Sequence, residues 1–295
     1  MIKFSPSEAA LEGFRLTRER PGTIFGWGVV FAICMFVIGR LMLISLDPQL
    51  IELTRSKKQI EQQDFDQISG LLAQSWPTFL LVLVLVAAVY STLTAGIYRL
   101  VLRPGEKGFL HLRFGRDELR LTGLNLVLVA FGMLGLTMEI AALAAASQGA
   151  SVAMLAAVVI FVASIWIGVR LSLATPMTFA EHRFAIGDAW AATQGKFWPL
   201  LGMIVLAAIF YVMVWLLISI IGAALIGLAG GSEALENISA LSGPAIVIAA
   251  LVVFLQLILQ VIQLVMIYAP FGVAYRQLHG DAPTSPPLQP LEQNG

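Results

Sequence analysis

Two ionisable side chains, Arg40 and Glu139, fall inside long apolar runs of the sequence. A charge in hydrocarbon costs several kcal/mol unless it is paired, so such residues mark either pairing or a functional path. Glu139 lies about 16 residues into its run and Arg40 about 18 into another; at ~1.5 Å per residue their depths agree to about 3 Å. The matching depth predicts an ion pair. The first reading is a structural clamp, with Arg40 also able to snorkel towards headgroups; part of a ligand or ion path is the alternative. Gln256, Gln260 and Gln263 stand at i, i+4 and i+7, on one face of a helix. That stripe predicts hydrogen bonds between helices, with a polar cavity as the alternative.

Catalytic arrangements are not evident. His111, His182 and His279 all lie outside the apolar runs, which leaves no intramembrane histidine for a metal or a haem. No phosphate-binding Gly-Lys-Ser/Thr loop occurs. Cys34 is the single cysteine, so neither an intrachain disulfide nor a cysteine-cluster metal site can form. The expectation is a protein without a cofactor and without a catalytic step.

The elements that carry these residues must be membrane spans. Of the 295 residues, 58% are hydrophobic and 12% charged, against roughly a quarter charged in soluble proteins. A mean hydropathy of +0.86 agrees. Net charge is 0, so no basic excess points to nucleic acid. Residues 1–20 hold Glu8, Glu12, Arg15, Arg18, Glu19 and Arg20 without an apolar stretch, so the first apolar helix is expected to stay in the mature chain.

A span needs about 20 apolar residues. Six runs qualify: 22–44, 77–98, 123–145, 152–173, 199–228 and 244–268. A tight turn is expected at Ser147–Ser151, weak points at Gly222 and Gly227, and a kink at Pro270. Lys3, Arg15, Arg18 and Arg20 precede the first span; Arg99, Arg103, Lys107, Arg113, Arg116 and Arg120 separate the second from the third. With Arg183, Lys196 and Arg276 they mark one side as cytoplasmic, and both termini fall on it.

Four pieces lie outside the spans. Residues 7–19 predict an amphipathic helix with Ala10, Leu11, Phe14 and Arg18 near one face, capped by Ser5 or Ser7. Residues 179–197, with Phe184, Ile186, Trp190 and Phe197, predict a second; both would lie in the membrane interface. Residues 108–122 alternate apolar and polar around Gly115, which predicts a small cytoplasmic β-hairpin. Residues 47–76 predict a charged external segment, helical near 50–72. Phe109, His111, Arg113 and Arg116, with Trp190 and Trp198, are the candidate cytoplasmic contact surface. A single membrane domain over 1–279 is expected, then a disordered tail over 280–295 with Pro283, Pro286, Pro287 and Pro290.

An internal repeat is also suggested. Laying Ala9 on Ala185 brings Thr17, Gly26, Val29, Ala32 and Ile33 onto Thr193, Gly202, Val205, Ala208 and Ile209. Moving one residue further puts Tyr98-Arg99 on Tyr275-Arg276. The units would be 7–107 and 183–284, in the same orientation; chance matching of two Ala/Val/Ile-rich runs is the alternative.

Arg170 to Pro176, Glu181, and Ala189-Trp190, Thr193, Gly195, Phe197 and Trp198 carry a resemblance. The pattern is similar to YciC-like proteins and to the membrane domain fused to some glycerophosphoryl diester phosphodiesterases. It is clearest over about 170–202. The resemblance implies a bacterial inner membrane and six helices. It does not imply hydrolysis, because the phosphodiesterase catalytic domain has no counterpart here.

The overall expectation is an all-α polytopic membrane protein with about six transmembrane helices, interfacial helices and a cytoplasmic hairpin. Its partners would be the lipid bilayer and a membrane-protein partner or a second copy. Its leading expected role is non-enzymatic, assembling with or regulating an envelope component. The alternative is a transporter or lipid-handling protein with a polar site between helices.

Overall fold

The computed structural model describes residues 4–45, 70–71, 73–105, 109–228, 231 and 243–279. The expected external helix near 50–72 falls largely outside them, and the 280–295 tail lies wholly outside. The described elements are α1 (Pro6–Glu19), α2 (Pro21–Ser45), α3 (Trp76–Leu102), a short 3-10 turn (Phe109–His111), α4 (Arg116–Ser147), α5 (Ser151–Leu171), α6 (Ala174–Glu181), α7 (Ile186–Ala192), α8 (Phe197–Leu228) and α9 (Gly243–His279). Six helical stretches are long and apolar enough to cross a membrane: α2, α3, α4, α5 run on through α6, α8 and α9. The chain is therefore a multi-pass membrane protein whose outer surface meets lipid.

Packing is uneven along these helices. α9 is the hub and touches α1, α2, α3, α6 and α8. Its buried residues gather in its second half, from Leu259 to Ala274. Those of α2, α3, α4 and α8 gather at the same end: Trp27, Tyr98, Leu121 and Leu200 are each fully buried. Towards the other end the helices expose apolar side chains such as Phe36, Met133, Val159 and Ile220. Apolar surface of this kind is stable in hydrocarbon and needs no protein cover.

α1 closes the packed end. Ala9, Ala10, Gly13 and Leu16 form its buried face. A Cβ on Gly13 would lie 2.6 Å from the Met266 Cα, so only glycine lets α1 approach the α9 backbone this closely. Leu11 and Phe14 are left half exposed on the opposite face. Ser5 occupies the N-cap position, but its side chain bonds no helix amide; its backbone N–H donates instead to Gln277 Oε1 at 3.1 Å.

The α4–α5 turn is as expected. Gly149 takes φ +90°, and the amides of Gly149 and Ala150 return to the Ala146 and Ala145 carbonyls at 3.0 and 3.3 Å, a glycine-ended helix stop. Gly222 and Gly227 leave α8 unbroken, and α9 continues as helix through Pro270.

Two local expectations are corrected. No strand exists among the described residues, and 108–122 is not a hairpin. Its Gly115-Arg116-Asp117 stretch is the start of α4, because Glu118 reaches back to accept the Gly115 amide at 2.9 Å, as in a capping box. Residues 179–197 are likewise not one helix. α6 ends at His182 in the left-handed conformation, φ 55°. Arg183 then binds Glu181 at 2.6 Å and Asp188 at 2.5 Å, so the chain turns before α7. The bond from Asp188 raises the Arg183 guanidinium above its usual range, with the Asp188 and Glu181 charges adding to the effect.

Candidate functional site

Two polar regions can be built from the residues upward. The first is a buried network where α3, the 3-10 turn, α4 and α6 meet. Arg99 and Glu118 form an ion pair there with both side chains almost fully buried. Arg99 Nη1 also donates to the His111 carbonyl at 3.0 Å. Trp27 Nε1 donates to the Leu110 carbonyl at 2.7 Å. Leu110 and His111 both have positive φ, 52° and 57°, an unfavourable backbone for such residues, and these two donors hold it in place.

Phe179 extends the network, with the guanidinium groups of Arg99 and Arg103 lying 5.6 and 5.2 Å from its ring centre. Tyr98 hydroxyl and Thr175 Oγ1 share a hydrogen bond of 2.6 Å. Nearer the surface, His182 Nδ1 lies 2.8 Å from Asp117 Oδ1 and its Nε2 lies 3.2 Å from Arg103. Every charge here has a protein partner, so the network reads as a weld between elements.

The second region is a groove of about 670 Å³ between α4 and α5, closed on one side by α9. That volume lies within the roughly 300–1,000 Å³ of small-molecule sites. Gly132 and Gly168 open it: a Cβ on either would meet nothing within 4 Å. Tyr268 and Phe271 wall it from α9, while Ser172 and Thr175 stand near its packed end. Glu139 lines it from α4, and Glu139 Oε2 is shielded from solvent without a hydrogen-bond partner.

The predicted residues divide as follows. Arg40 and Glu139 are not brought together, which corrects the expected ion pair. Equal depth did not suffice, because α2 packs on α9 and α3 whereas α4 packs on α3, α5 and α6; Arg40 is exposed. Gln263 does bond across helices, accepting from the Tyr211 hydroxyl of α8 at 3.4 Å, whereas Gln256 and Gln260 are exposed.

Among the contact-surface residues, Phe109 begins the 3-10 turn and His111 is half-buried in it. Trp190 packs edge-on against Trp166 at 5.1 Å. The Arg170 guanidinium covers both of those rings, at 5.5 and 5.1 Å. Trp190 is therefore part of an internal clamp. Arg113, Arg116 and Trp198 are exposed.

Sequence reasoning missed the Arg99–Glu118 pair. The signal was present in Glu118, three residues after Gly115 at a helix start, but was masked by the hairpin-like alternation. The chain matches no protein-family profile, no curated protein and no solved structure.

Proposed function

We propose that this multi-pass protein takes a long apolar molecule sideways from the bilayer into the α4–α5–α9 groove, as a transporter or lipid-handling protein. The observation that carries this reading is an apolar groove of about 670 Å³ on the membrane-spanning part of the chain, with a carboxylate in its wall. Phe131 and Phe161 line it and are 62% and 58% exposed, so a bilayer molecule can enter without crossing a protein barrier. The role proposed is binding without a chemical step. The resemblance over about 170–202 to YciC-like proteins and the basic residues noted above favour a bacterial inner membrane with both termini cytoplasmic. In that setting the half-exposed Leu11 and Phe14 support an interfacial α1, from which they would enter the headgroup region.

The test is photo-labelling of the reconstituted protein by a diazirine-bearing long-chain alcohol. Labelling of α4 and α5 is expected. Gly132→Leu and Gly168→Leu fill open space rather than displace packed atoms, so they should abolish labelling while leaving the thermal transition unchanged. Undiminished labelling in both variants would refute the groove as the site.

A second reading, assembly with a second copy or a membrane-protein partner, is favoured by Arg40, Gln256 and Gln260. All three are exposed on helices that span, where a neighbouring helix would satisfy them better than lipid. Cysteines placed at Gln256 and Gln260 in a Cys34→Ser background should cross-link copies in the membrane if the partner is a second copy. Monomer alone would exclude that partner.

A further inference from the structure

The groove has a polarity of its own, and the following rests on its being a ligand site. Among the described residues, Glu139 is the sole ionisable side chain in its lining apart from the Tyr268 phenol, and neither lysine, arginine nor histidine lines it. A carboxylate in such surroundings is stabilised by pairing with a cation. Among the described residues Glu139 Oε2 finds no protein donor, and Arg40, the basic residue at similar sequence depth, stands exposed on α2.

The same lining argues about the ligand's charge. A phosphate or carboxylate drawn into the groove would meet no cationic side chain and would face Glu139, so acidic lipids are disfavoured. A cation would instead meet the Glu139 carboxylate.

The length of the groove sets the rest of the ligand. Leu128 and Glu139 both line it from α4; the rise between them is ~16 Å at 1.5 Å per residue, about half of the ~30 Å hydrocarbon thickness. We infer that the groove binds a single-tailed amphiphile whose polar end is an amine. Its protonated nitrogen pairs with Glu139, and its tail runs along α4 and α5 towards Thr175.

The experiment compares three diazirine-bearing probes of equal chain length on the full-length protein in nanodiscs of neutral lipid: hexadecylamine, hexadecanol and hexadecanoic acid. The amine should label α4 and α5 most strongly. Glu139→Gln should weaken amine labelling about tenfold or more, as loss of a charge-assisted hydrogen bond does, and Glu139→Asp should retain most of it. Unchanged alcohol labelling of Glu139→Gln would show that the variant is folded. If amine and alcohol label alike and Glu139→Gln changes neither, the amine assignment is overturned while the groove stands as an apolar site. If no probe labels the groove, or Gly132→Leu and Gly168→Leu both leave labelling intact, the groove reading itself fails.

Discussion

Arg99 and Glu118 are almost fully buried together as an ion pair. Removing one partner of such a pair leaves a buried charge uncompensated and costs about 3–5 kcal/mol. Glu118→Leu and Arg99→Met should therefore each lower the unfolding midpoint of the detergent-solubilised protein. The double variant should be less destabilised than either single one, because it leaves no orphan charge. Additive single effects would contradict the coupling. Little of this network was legible in the sequence. Arg99 looked like one of many basic residues flanking a span, and nothing in its spacing named Glu118 as its partner. Glu139 was legible as a buried carboxylate because a charge in an apolar run is conspicuous. Its surroundings were not, since a groove depends on which helices meet, and depth along one helix does not contain that information.

At the scale of elements, the spans were readable because hydrocarbon thickness imposes a length and a composition on them. The α4 start was not. Phe114, Leu119 and Leu121 alternate with polar residues as a hairpin does, but the helix wins once Glu118 caps Gly115 and Arg99 holds Glu118. The break at His182 was equally hidden, because a left-handed residue other than glycine is uncommon. The junction of α1 with α9 rests on Gly13. Gly13→Leu would drive a side chain into the Met266 backbone, and overpacking of this kind typically costs about 1–3 kcal/mol. The expected result is faster hydrogen exchange over α1 with the α4–α5 pair unaffected. Unchanged protection of α1 would show that the close approach does not hold it.

For the whole molecule, the three crossings of α2, α3 and α4 place residues before α2 and residues between α4 and α5 on opposite faces. Ser7→Cys and Ala150→Cys in a Cys34→Ser background should react with an impermeant maleimide from opposite sides of the membrane. Labelling from the same side would overturn the topology. The helices bury most of their residues at one end, and α9 passes through that packed end with Pro270 inside it. Proline has no N–H, so the rung from residue 270 to the Met266 carbonyl cannot form. Met266 is also where α1 presses, while Tyr268 and Phe271 on the same turns wall the groove. The consequence is mechanical. The stiffness of the longest rod in the molecule is lowest where the surface helix and the binding wall share it, so a bend of α9 there changes the aperture and the seat of α1 as one motion.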